Sequence, residues 1–176
     1  MSVTSPVYDV VMAFHVLAAV VGFGALASTG AYAAALRRQA DPFASPAVLR
    51  YFAPGRNRAA RAILVVPLLG GLMLGLGGGQ DAGAPWPWIG LAIWTVATGI
   101  ASAVIWPAER EIQELLAAGS ARVVGAGGTD PGASLPPGAP VDLVRRVGTA
   151  ARRADRAAAA TSLLFVAALV VMVWQP

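Results

Sequence analysis

Residues 7–38 read VYDVVMAFHVLAAVVGFGALASTGAYAAALRR, and this stretch decides the fold. At roughly 1.5 Å of rise per residue, an apolar helix of this length exceeds the ~30 Å hydrocarbon core of a bilayer. The sequence therefore predicts a first membrane span over residues 7–36, opened after Pro6 and closed by Arg37 and Arg38, that tilts or protrudes. His15, the only histidine of the chain, lies inside it. Steps of three and four residues from His15 reach Ala19, Gly22, Leu26, Thr29 and Ala33, a stripe of mostly small side chains. Small residues let helices approach closely in lipid, and an ionisable ring avoids lipid, so His15 is expected to face the other spans.

The rest of the composition agrees with a membrane protein. The 176 residues are 57% hydrophobic and 12% charged, against about a quarter charged in soluble domains. This length accommodates one bundle of about four spans of ~20 residues, with no separate soluble domain. The net charge of +4 comes from arginines confined to two loops, which marks topology and argues against nucleic acid as a partner. Without cysteine, disulfides and thiolate chemistry are excluded. Residues 1–9 contain no Lys or Arg, so the first span is expected to be retained rather than cleaved as a signal peptide.

Residues 39–61 form a Pro- and Arg-rich loop with a short helix around 47–52. The second span is expected over residues 62–78. Pro67 removes the hydrogen-bond donor of the Ile63 carbonyl, which predicts a kink with that carbonyl left free. Pro67, Gly71, Gly75 and Gly79 recur every fourth residue, and the expected result is a flat seam packed on another helix; a broken-helix substrate site is the alternative. A turn free of basic residues follows, with Trp86 and Trp88 at the interface. The third span, residues 88–106, carries Thr95, Thr98 and Ser102, which suit bonds one turn back or across to a neighbouring helix. Residues 108–119 read as an amphipathic extension and residues 120–140 as a flexible Gly/Ala/Pro linker. Asp142 is placed to cap a helix that passes five arginines and becomes the fourth span, residues 157–174.

Six arginines lie between Arg37 and Arg61 and seven between Arg110 and Arg156, accounting for all thirteen. The positive-inside rule then puts both loops in the cytoplasm and both termini outside, on the far face of a cytoplasmic membrane. Glu109, Glu111 and Glu114 are expected to pair with the arginines of residues 145–156. Those arginines suit lipid phosphates, or alternatively a soluble acidic partner.

Enzyme signatures are missing: there is no phosphate loop, no His-Glu-x-x-His run and no second histidine. No catalytic residue is assigned. The orientation places Met12, Met73 and Met172 in the same outer leaflet as His15. Thioether and imidazole together suit Cu(I) or haem iron, whereas methionine also fills gaps in cores. With one histidine per chain, haem b would take its second axial ligand from Met12, Met73 or Met172, or from His15 of a second copy.

FHVLAAVVGFGALASTGAYAAALRR at the start and FVAALVVMVWQP at the end resemble an uncharacterised bacterial family of four-span integral membrane proteins, itself distantly similar to the copper-resistance D membrane proteins and to the four-span haem-binding protoporphyrinogen oxidases. The resemblance implies an all-α four-span bundle with His15 as the functional residue. The chain departs from the oxidase pattern in having no lysine, with Gln175 where the family has a basic residue. The expected function is binding of a hydrophobic ligand, cofactor or membrane partner, with a homo-oligomer among the arrangements. A haem-binding redox protein and a small transporter or metal-handling protein are the alternatives.

Overall fold

The computed structural model describes residues 5–39, 41–55, 58–125 and 141–174. The fold is an all-α bundle, with no strand among the described residues. Its helices are α1 (Pro6–Arg38), α2 (Pro46–Tyr51), α3 (Val66–Leu76), α4 (Pro85–Ile100), α5 (Trp106–Gly125) and α6 (Val141–Trp174). A 3₁₀ segment, Arg58–Leu64, precedes α3, and a π-helical turn, Ala101–Ile105, joins α4 to α5. Four helical runs are long and apolar enough to cross a membrane: Pro6–Arg38, Arg58–Leu76, Pro85–Ala121 and Val141–Trp174.

Two prolines explain the irregular turns. Pro67 cannot donate to Ile63, and the chain ahead of it winds more tightly, as a 3₁₀ helix, before α3 begins at Val66. The predicted single α-helical span over 62–78 is thus two pieces of different pitch. The ring of Pro107 would meet the carbonyl of Ala103 in an α-helix, and the π turn widens the helix at that point.

The described chain divides into two compact units. The first combines α1 up to Ala27, the stretch Arg58–Ala101, and α6 from Ala160. It packs with small contacts and one stacked ring pair, Phe23 on Phe165 with centroids 4.3 Å apart. Its large apolar side chains mostly point outward, among them Phe14, Leu17, Leu68, Leu163 and Val173.

The second unit holds the end of α1, α2, α5 and the start of α6. Its interior is a conventional core of Leu36, Val48, Phe52, Ile112, Leu116 and Val147, each buried, at about 1.5–3 kcal/mol per large side chain removed from water. Tyr51 stacks on Tyr32 at 4.1 Å and shares a 2.7 Å hydrogen bond with the buried Thr29 hydroxyl, which fastens α2 to α1. Arg37 pairs with Asp155 at 3.4 Å, and Arg153 pairs with Glu111.

Several expectations change. Asp142 does not cap α6, because the helix already begins at Val141; its carboxylate instead accepts from Arg145 at 2.9 Å. Helix α5 continues past residue 119 to Gly125, and the remainder of the expected linker lies outside the described residues. Of the two bonds expected for Thr95, the one made is that one turn back, to the Leu91 carbonyl at 2.8 Å on an exposed face. The glycine seam is not packed: Gly71, Gly75 and Gly79 are exposed, and a Cβ on any of them would meet nothing within 4 Å. The face of α3 turned inward runs instead through Val66, Gly70 and Met73. The tighter 3₁₀ turn before α3 resets the helix phase, and hydrogen bonds to the Ile63 and Val66 carbonyls hold that side inward.

Candidate functional site: His15 at the broken helix

Pro67 builds this site by what it lacks. With no N–H at residue 67, the Ile63 carbonyl has no helical donor, and an orphan carbonyl in apolar surroundings costs about 1–3 kcal/mol. The carbonyl is not free. The Trp94 indole N–H, on α4, donates to it at 2.8 Å. One turn further along, the Val66 carbonyl accepts from Nδ1 of His15, on α1, at 3.0 Å. Two ring N–H groups from two helices thus hold two carbonyls on either side of the break.

Close approach of α1 to the break depends on glycine. A Cβ at Gly22 would fall 2.6 Å from the backbone nitrogen of Ile63, so a side chain there would collide with main chain. At Gly70 a Cβ would stand 3.3 Å from Cε1 of His15, which places the imidazole edge over the glycine. The stripe that continues along α1 from His15 is largely interior: Gly22, Leu26, Thr29 and Ala33 are buried. His15 itself is half-buried.

The bond to Val66 has a chemical consequence. A carbonyl oxygen only accepts, so Nδ1 carries the hydrogen, and in the neutral ring the lone pair is then on Nε2. Ligating histidines are commonly fixed in this way, by donation of the other ring N–H to a backbone carbonyl. The arrangement leaves His15 able to accept a hydrogen bond or to coordinate a cation through Nε2.

The methionines are distributed differently. Met12 is 41% exposed, Met73 is half-buried on α3 one turn beyond Gly70, and the Met172 methyl lies 3.6 Å from the Cβ position of Gly90. Among the described residues no three His, Cys, Asp or Glu side chains gather as a metal site. Trp94 is the site residue that no motif in the sequence marks. Its signal was present in Pro67, because a carbonyl orphaned inside an apolar helix calls for an N–H donor from a neighbouring span. The chain matches no family model, no curated protein and no solved structure.

Proposed function

We propose that this is a multi-pass protein of a bacterial cytoplasmic membrane, with both termini outside, that binds a small hydrophobic ligand or prosthetic group through His15. The membrane reading is supported by the apolar exterior of the first unit and by the four long apolar runs. Orientation is supported by the thirteen arginines, which fall in the two segments, 37–61 and 110–156, that a four-span path brings to the same side. The ligand reading is carried by one observation: Nδ1 of His15 is bound to the Val66 carbonyl, which fixes the tautomer with Nε2 as the acceptor.

The test compares purified wild type with His15→Ala and His15→Gln, by absorbance spectroscopy and mass spectrometry of extracted small molecules. A molecule retained by wild type and lost from both variants, with unchanged helicity, supports the reading. Identical contents in all three preparations would make His15 a structural donor only.

Haem is the second reading, favoured by the same carbonyl-bound Nδ1. His15 would hold it through Nε2, together with Met12, Met73, Met172 or His15 of a second copy. Bound haem would supply electron transfer. In that case the wild-type spectrum contains a Soret band that His15→Ala lacks.

A further inference from the structure

The arginines that precede the last apolar run of α6 are not scattered round the helix. At about 100° per residue, Arg145, Arg146, Arg152, Arg153 and Arg156 fall within roughly a third of the circumference, and all are exposed. Leu143, Val147, Ala150, Ala151 and Ala154, opposite them, are buried. Burial of one face explains why the arginines occupy the other. The positive-inside bias accounts for the sign of the charge, and its order along this face is the further property to explain. Asp142, the carboxylate on the stripe, is taken by Arg145 at 2.9 Å, and Glu111 is taken by Arg153. Arg146, Arg152 and Arg156 have no ion pair among the described residues.

Two features make this a built surface. Thr149 stands in the middle of the stripe; its hydroxyl donates to the Arg145 carbonyl at 2.9 Å and accepts from Nη2 of Arg152 at 3.1 Å. That contact holds a guanidinium in place before any partner arrives and reduces the ordering cost of binding. The second feature is length. Helix α6 is unbroken from Val141 to Trp174, and Arg146 lies ten residues, roughly 15 Å, before Arg156. A headgroup layer is only about 5–8 Å deep on each side of the hydrocarbon, so lipid phosphates reach the near end of the stripe and not the far end. The far end faces water, where matching negative charge comes from a soluble macromolecule.

We propose that the exposed arginine stripe of α6, centred on Thr149, is a docking surface for an acidic segment of a soluble protein on the arginine-bearing side of the membrane. The surface is independent of His15 and requires only that α6 cross the bilayer.

The experiment uses the full chain in nanodiscs of phosphatidylcholine and of phosphatidylglycerol. The probe is a fluorescein-labelled peptide of alternating Glu and Ser, read by anisotropy at physiological salt. Saturable binding is expected in both lipids. Arg146→Gln with Arg152→Gln should raise Kd about tenfold, and Thr149→Val, which changes no charge, about threefold. Arg58→Gln with Arg61→Gln removes the same charge elsewhere and should leave Kd within about twofold. Equal weakening by the two double variants would show bulk charge attraction and overturn the proposal. A signal in phosphatidylcholine that disappears in phosphatidylglycerol would assign the stripe to lipid phosphates and overturn it too, as would absence of binding.

Discussion

Trp94 and Trp88 both donate an indole N–H to a backbone carbonyl, and their surroundings give those bonds different worth. Trp94 bonds the Ile63 carbonyl at 2.8 Å in a half-buried setting where Pro67 has removed the other donor. Trp88 bonds the Ala82 carbonyl at 2.9 Å on an exposed turn, where water is a ready substitute. Trp94→Phe keeps most of the ring and deletes the donor, so thermal unfolding in detergent should show a loss of about 1–3 kcal/mol. Trp88→Phe should change stability by no more than about 0.5 kcal/mol. Equal losses would mean that the Ile63 carbonyl finds water when Trp94 withdraws.

At the scale of the element, the break before α3 makes a rescue possible. Pro67→Ala restores an N–H that can reach the Ile63 carbonyl in an α-helical turn, so it should recover most of the stability lost in Trp94→Phe. Additive losses in the double variant would show that tertiary packing holds the 3₁₀ turn irrespective of the proline. Helix α3 also carries the clearest reversal of a sequence expectation. The four-residue spacing of Pro67, Gly71, Gly75 and Gly79 suggests a packed seam, yet space beyond Gly71 and Gly75 is open. Gly75→Leu should therefore leave the melting temperature of the detergent-solubilised monomer unchanged or slightly raised, since leucine is the better helix former by up to about 1 kcal/mol. A marked drop in melting temperature would restore the seam as a packing surface.

For the whole molecule, the proposed orientation rests on the arginines, and it is tested without reference to any ligand. Cysteines introduced at the exposed positions Gly83 and Ala118 have no native cysteine to compete with. A membrane-impermeant maleimide added to intact cells should label Gly83→Cys directly and Ala118→Cys only after permeabilisation. The opposite pattern would invert the topology and place the His15 end of α1 on the cytoplasmic side. The two units also suggest different chemistry of stability. The second unit, with its buried Leu, Ile, Val and Phe side chains, draws on the hydrophobic effect; the first packs through glycines and two ring N–H bonds, as expected where the surroundings are as apolar as the core.

The sequence by itself determined the all-α class, the four apolar runs, the gathering of the arginines toward the ends of these runs and their connecting segments, and the stripe of α1 that is turned inward at Gly22, Leu26, Thr29 and Ala33. These are properties of composition, length and local period, which neighbouring elements do not alter. The amphipathic half of α6 was legible for the same reason, because water distinguishes its arginine face from its alanine face. Only the tertiary structure decided which face of α3 is inside, that Trp94 serves the carbonyl freed by Pro67, and which nitrogen of His15 carries the hydrogen. Unlike α1, which His15 marks on one side, α3 has no polar or ionisable side chain, so its periodicity cannot set its rotation. Rotation is set by where a neighbouring helix supplies a donor for an orphaned carbonyl, and by which glycine lets that helix come close enough to deliver it.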